Sequence, residues 1–432
     1  MTTRPAPTRP TAEVLGWLSD RLDGLIEALI QGGALGLIVI DASALSEIER
    51  RYGAKVLRGS LDALVQSISS TIEEALGDSY VLVGQELEQE RLLVFMPKPR
   101  SDPRFYSRVL PRLADQLREH VSAAVQRIAY PYLTGIFDVP VGAALVLHRA
   151  FQRPESEIRR LIESALDAGR FAAERMRRER GGLLERLIIE GNLSSRFEPI
   201  MSLREGTVLG YEALTRGPIG TPLESPLVCF NVAERCGLDF ELDHVCRRVA
   251  LENAGGLQSN ESLFLNILPS SIQDPDFSTR GMCAILQEMA IAPSQIVFEI
   301  SERQTIGNYP RFREALDKLR ELGFRMAIDD VGAGYANLET AMELTPDFLK
   351  IDRTLIHHID AEAQKQELLR GLVRLGHKMK ARLIAEGIET QVERQVLTEL
   401  GVDLGQGYAI GRGLPTLDRT RSDPTAQQAR RH

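Results

Sequence analysis

Phe298-Glu299-Ile300-Ser301-Glu302 sets carboxylates inside an apolar run, and four more stretches of the C-terminal half repeat the pattern. They are Tyr211-Glu212-Ala213-Leu214, Phe264-Leu265-Asn266, Ile328-Asp329-Asp330 and Ile384-Ala385-Glu386-Gly387-Ile388-Glu389. In each, a hydrophobic strand ends in, or just beside, a hard oxygen donor. Burying an unpaired charge costs on the order of several kcal/mol. One such acid could be a paired structural residue; a series of them implies a shared counter-charge. Oxygen donors suit Mg²⁺ and Mn²⁺. The pattern predicts a metal-dependent enzyme site.

Around these stretches, short apolar strands alternate with helical segments from Ser195 onward. The strands are expected near 197–203, 209–214, 263–268, 296–300, 325–328, 348–351, 382–385 and 403–405. About eight strands over some 220 residues is the size of a (β/α)₈ TIM-like barrel, whose sites are built at the C-terminal strand ends. A doubly wound sheet would show similar alternation.

The N-terminal part reads as a smaller α/β domain over residues 12–152, with the order α-β-α-β-β-α-β-α. Its strands are expected at Leu35–Ile40, Tyr80–Val83, Leu92–Met96 and Val139–Leu147, and one helix from Leu45 to Leu76. Residues 1–11 read as a disordered arm, 153–182 as a charged linker helix and 416–432 as a disordered tail. Gly181-Gly182 predicts a hinge after the linker helix.

The 432 residues carry a net charge of −8, so no global basic field gathers nucleic acid. Nothing approaches the roughly twenty apolar residues that span a bilayer. Cys229, Cys236, Cys246 and Cys283 have no zinc-like spacing and read as buried or partly buried free thiols in a reducing cytosol, which predicts a cytoplasmic protein. His357-His358 is not expected to chelate, because adjacent helical side chains diverge.

Residues 183–415 resemble an EAL domain, the phosphodiesterase family that opens cyclic di-GMP to linear pGpG. To the stretches above, the resemblance adds Asp329-Asp330-Val331-Gly332-Ala333-Gly334-Tyr335-Ala336-Asn337-Leu338, Leu349-Lys350-Ile351-Asp352-Arg353 and Gln406-Gly407-Tyr408, all in order. It implies metal ligands at Glu212, Asn266, Glu299, Asp329 and Asp330, holding two Mg²⁺ or Mn²⁺ ions about 4 Å apart, with Ca²⁺ inhibitory. It implies catalytic roles for Lys350, Glu386, Glu389 and Gln406, and substrate contacts at Arg216, Leu214 and Glu198. Glu302, Gly332 and Gly334 would anchor and shape the loop after Asp330. The resemblance also implies a homodimer formed through this domain and the linker helix. Two departures stand out: Glu198-Pro199 replaces the family's Gln-Pro, and Gly411-Arg412-Gly413-Leu414-Pro415 differs from its Arg-Pro ending.

The N-terminal domain resembles a degenerate GGDEF domain, the diguanylate cyclase family. Leu37-Ile38-Val39-Ile40-Asp41 matches its first strand, but Glu88-Gln89-Glu90-Arg91-Leu92 stands at the signature. Without the glycine pair the backbone cannot approach nucleotide phosphates closely. Arg58 has only donors where the family accepts guanine N–H groups. The resemblance therefore implies a regulatory module without cyclase activity, with GTP or a regulatory protein as candidate partners. The alternative for the whole chain is a non-catalytic cyclic di-GMP receptor or signalling scaffold acting through a protein partner.

Overall fold

The structure, a computed structural model, describes residues 16–77, 79–85, 88–129, 132, 137–272, 281–301, 309–332 and 344–417. The chain divides into two compact units between Gly181 and Gly182.

In the first unit, four antiparallel strands form one sheet: β1 (Ala34–Asp41), β2 (Val81–Gln85), β3 (Glu88–Met96) and β4 (Val141–Leu147), in the order β2-β3-β1-β4. β1 is buried along its whole length, as its unbroken apolar run requires of a central strand. Ile38 and Ile40 pack on one face with α3 (Ala54–Leu76) and α4 (Leu110–Ala129); Leu37 and Val39 pack on the other with α1 (Leu18–Gly32). The helix expected over 45–76 is broken, because Gly53 adopts φ +87° and separates α2 (Ser46–Tyr52) from α3.

α5 (Pro154–Glu190) runs as one 37-residue helix, with no break at Gly181-Gly182. Each glycine costs a helix about 1 kcal/mol, but Leu184 and Leu187 follow and are buried. Their burial offsets the local cost, and the helix continues where it was expected to end.

The second unit is a closed eight-stranded barrel, in the order β10-β11-β12-β5-β6-β7-β8-β9. Its strands are β5 (Ser194–Ser202), β6 (Val208–Arg216), β7 (Ser262–Asn266), β8 (Ile296–Ser301), β9 (Arg325–Val331), β10 (Phe348–Ile351), β11 (Arg382–Ala385) and β12 (Leu404–Gly405). It departs from a strict (β/α)₈ barrel in one respect. β5 is antiparallel to both neighbours and joins β6 through a tight turn at Gly206 (φ +69°) instead of a helix. Residues 416 and 417, expected to belong to the tail, pack on the barrel: Leu417 is buried, and Thr416 donates a hydrogen bond to the Asn253 carbonyl. Among the described residues no helix is long and apolar enough to cross a membrane. The thiols are free as expected, but Cys236 is exposed.

Candidate active site

Side-chain alternation places the site. Ile200, Phe264, Val297, Ala327, Phe348, Ile384 and Leu404, one from each of seven strands, pack together as an apolar plug inside the barrel. A strand returns to the same face every second residue. Two residues toward the mouth from each plug residue stand Glu198, Asn266, Glu299, Asp329, Lys350, Glu386 and Gln406 in turn. β5 runs the opposite way, so its step is backward, from Ile200 to Glu198. On β6 the register slips beside Ile200, which brings Glu212 opposite Glu198.

Lys350 is the centre of the cluster and is 1% exposed. Its Nζ lies 2.7 Å from Glu386 Oε1, 2.9 Å from Glu299 Oε1, 3.2 Å from Glu212 Oε2 and 3.3 Å from Asp329 Oδ1. Asn266 Nδ2 donates to Glu212 (3.2 Å) and Glu299 (3.3 Å), and Gln406 Nε2 donates to Glu212 at 2.6 Å. Asp330 is a non-glycine residue at φ +63°, where the pairing of β9 with β10 shifts register. Such a bulge re-aims a side chain. Asp329, Asp330 and Glu386 thereby bring one carboxylate oxygen each within 4.8 Å of the others, and Ser301 Oγ steadies Asp330 at 3.1 Å.

One ammonium cannot balance four carboxylates, and the acids respond accordingly. Burial, then repulsion by Glu212, pushes Glu299 well above the carboxylate range. Burial also raises Asp329, and it lifts Glu386 to about 8 despite the nearby Lys350. Glu212 goes the other way: burial alone would raise it, but Lys350 and Gln406 outweigh that and hold it low. Burial disfavours the Lys350 ammonium, yet Asp329 and Glu212 overcome this and keep it charged. A cluster of hard oxygen donors short of positive charge fits divalent cations. The three oxygens of the trio are close enough together for one such cation to reach them all.

This has a consequence for stability in metal-free protein. Glu386 is raised from 4.5 to about 8. Between those values the folded state holds a proton that the unfolded state has released. Stability from this group is therefore full below pH 4.5 and is lost as pH rises through about 8. We expect the metal-free thermal midpoint to fall from pH 5.5 to pH 8, and added Mn²⁺ to raise it more at pH 8, where protons compete less. Thermal denaturation with and without Mn²⁺ checks this; an equal Mn²⁺ shift at both pH values contradicts it.

Beside the cluster lies a cleft of about 750 Å³ whose lining includes Glu198, Leu214, Arg216 and Glu389. Arg216 closes β6, with one guanidinium N–H held by the Thr215 carbonyl at 2.7 Å. Glu198 is raised by burial and by Glu212 across the strand pair. Glu389 is not among the partners of Lys350. Gly387 (φ +66°) turns the chain after Glu386, and Arg353 engages Glu389 at 2.6 Å. Gly332 has φ +98°, a conformation that favours glycine. Glu302 and Gly334 lie outside the described residues. The rings of His357 and His358 do meet, with centroids 3.8 Å apart and planes tilted by 39°, because the helix ends at Ile356 and His358 sits at φ +60°. Arg353, Tyr408 and Arg412, which stand in the quoted motifs without an assigned role, also line the cleft, as does Arg196, which no motif included. Arg196 was legible, two residues mouthward of Glu198 on the same face.

A family profile described as "EAL domain" matches residues 183–413, more than half of the 432. The chain belongs to the EAL domain family. A Caulobacter vibrioides relative, an uncharacterized signaling protein, is 28% identical over 91% of this chain and 49% of its own length. The probable cyclic di-GMP phosphodiesterase PdeA of Escherichia coli is 30% identical over 53% of this chain and 31% of its own length. The chain thus spans about half the length of the first relative and less than a third of the second. A solved EAL enzyme in its cAMP- and cyclic-di-GMP-bound form shares the fold, with TM-score 0.52 and 22% identity over 66% of this chain and 80% of the other.

Proposed function

We propose that the EAL domain hydrolyses cyclic di-GMP to linear pGpG with two divalent ions. The observation that carries this reading is the surplus of buried carboxylates over the single Lys350 ammonium, at the barrel mouth and beside an arginine-lined cleft. Glu212, Asn266, Glu299, Asp329 and Asp330 would hold Mg²⁺ or Mn²⁺, which when bound acidify water and offset phosphate charge. Glu386 holds a proton near neutral pH in metal-free protein; bound cations would lower its carboxyl and free it to accept a proton from the attacking water. Lys350 supplies a fixed positive charge for the oxygen that develops charge on phosphorus. Arg216 offers its fork to the phosphate that stays intact. Gln406 holds Glu212 in place, and Glu389 acts through its pair with Arg353.

The rival is a receptor that binds cyclic di-GMP without turnover. Glu198, an acid where the family has an amide, is the observation that favours it. Its carboxyl is raised by burial and by Glu212, so it retains a proton more readily and repels the ligand less. The two readings separate on incubation with cyclic di-GMP and Mn²⁺ or Mg²⁺, followed by chromatography. Loss of cyclic di-GMP with appearance of pGpG, blocked by Ca²⁺ or a chelator, supports the enzyme. Binding without product supports the receptor.

The first unit is, in this proposal, a GGDEF-like regulator without cyclase activity. Asp41 is engaged by Arg91 at 3.3 Å across β1 and β3, so the acid at the end of the first strand already has a counter-ion. Purified protein with GTP and Mg²⁺ is expected to yield no cyclic di-GMP by mass spectrometry, and any sustained synthesis would overturn this part. Regulation, the homodimer and cytoplasmic residence belong to the same proposal.

A further inference from the structure

The two edges of the sheet in the first unit are finished differently. At β2 the Gly84 N–H donates to the Gly16 carbonyl (3.3 Å), and the Trp17 ring lies against Gly84, so that edge is covered. β4, at the other end of the order β2-β3-β1-β4, has no strand beyond it among the described residues. The Asp41 N–H donates to the Pro140 carbonyl and the His148 N–H to the Gly33 carbonyl, both at 2.9 Å. Bonded residues alternate along an antiparallel pair, so Gly142, Ala144 and Val146 are the ones that bond β1. Ala143, Leu145 and Leu147 therefore turn their N–H and C=O groups away from the sheet. Leu145 is 44% exposed and Leu147 40%.

Natural sheets guard open edges with charges, prolines or bulges. Val141–Leu147 carries neither charge nor proline, and its pairing with β1 shows no register shift. A cavity of about 300 Å³ lies at this edge, its lining including Tyr106, Leu110, Ala114, Ala143 and Leu145. Ala143 is too small to fill it. The open stretch stops at Val141, whose carbonyl already accepts a hydrogen bond from Arg118 (3.1 Å).

We propose that β4 is a self-association edge, whose occupant is β4 of a second copy of this chain, antiparallel about a two-fold axis at Leu145. The register is what argues for a copy. The axis sets Leu145 against its own counterpart, Ala143 against Leu147 and Ala144 against Val146, so small side chains meet large ones away from the axis. The outward groups of Ala143, Leu145 and Leu147 in each copy then bond those of the other. Opposed residues share a face, so the Leu147 side chain of one copy enters the cavity beside Ala143 of the other. A strand without charge meets its copy without repulsion. The contact is separate from the homodimer assigned to the barrel and linker helix, and it does not depend on the phosphodiesterase reading.

The test is disulfide trapping in the full chain under mild oxidation, with wild type as the control for the native thiols. The variants are Leu145→Cys, Leu147→Cys and Leu145→Cys combined with Leu147→Glu, each confirmed as folded by thermal denaturation. Leu145→Cys is expected to give mostly covalent dimer, because opposed residues at the axis have Cα atoms about 5.5 Å apart, within disulfide reach. Leu147→Cys should trap at least roughly tenfold less, because the axis holds its two copies about 14 Å apart. Leu147→Glu should also cut the yield of Leu145→Cys roughly tenfold, since a carboxylate would have to enter the apolar cavity. Peptide mass spectrometry locates the bond. No covalent dimer in Leu145→Cys, equal yields at the two positions, or an undiminished yield with Leu147→Glu overturns the pairing. A strand of a different protein on this edge would give the first of those results.

Discussion

Asp329→Asn is expected to abolish hydrolysis of cyclic di-GMP, a loss of roughly a thousandfold or more, while the barrel stays folded. Asp329 touches Lys350 at 3.3 Å and belongs to the trio with Asp330 and Glu386, so it takes part in both halves of the charge balance. An amide keeps the shape but surrenders the charge that a divalent ion needs. Burial, Glu212 and Asp330 already oppose its ionisation in metal-free protein, with Lys350 and then the Asp330 N–H as counterweights. Removing that charge relieves repulsion, so the metal-free thermal midpoint should hold or rise. The increase in midpoint on adding Mn²⁺ should shrink or vanish. Near-wild-type turnover in a verified Asp329→Asn protein would refute the assignment of Asp329 as a metal ligand.

Lys350→Met should produce the opposite pattern in stability. The side chain is fully buried and faces four carboxylates, and removing the charged partner of a buried ion pair costs about 3–5 kcal/mol. Metal-free Lys350→Met should therefore melt well below the wild type. Mn²⁺ should recover much of the difference, because the added cations take over the counter-charge. Even saturated with Mn²⁺ the variant should turn over at least roughly a hundredfold more slowly, since a group aimed at developing charge acts on kcat. Affinity for cyclic di-GMP in Ca²⁺ should change far less. A variant that keeps kcat and loses affinity would make Lys350 a ligand-binding residue instead.

Much of this site was legible in the amino-acid order because acids do not enter barrel strands without a reason. Glu299 and Asp329 sit two residues beyond Val297 and Ala327, and that period of two marks the face shared with the apolar plug. The same rule extends to Lys350 after Phe348 and to Gln406 after Leu404. The antiparallel β5 was legible too. Only Leu203–Thr207 separates it from β6, too few residues for the crossover that a parallel pair needs. Other features were not local. The glycines at 181 and 182 suggest a hinge, but burial of Leu184 and Leu187 carries the helix through them. Glu389 is three residues from Glu386, yet the turn at Gly387 and the pair with Arg353 take it out of the Lys350 cluster. The histidine rings meet because His358 leaves helical geometry, which their identity alone does not reveal.

The central claim, that this barrel cleaves a phosphodiester with water, is tested most directly by incubating the wild type with cyclic di-GMP and Mn²⁺ in ¹⁸O-labelled water. Mass spectrometry of the product should show linear pGpG with one ¹⁸O on its terminal phosphate, because water adds to phosphorus as the sugar oxygen leaves. Recovery of intact, unlabelled cyclic di-GMP from protein shown to bind it would contradict the account and leave a receptor in its place.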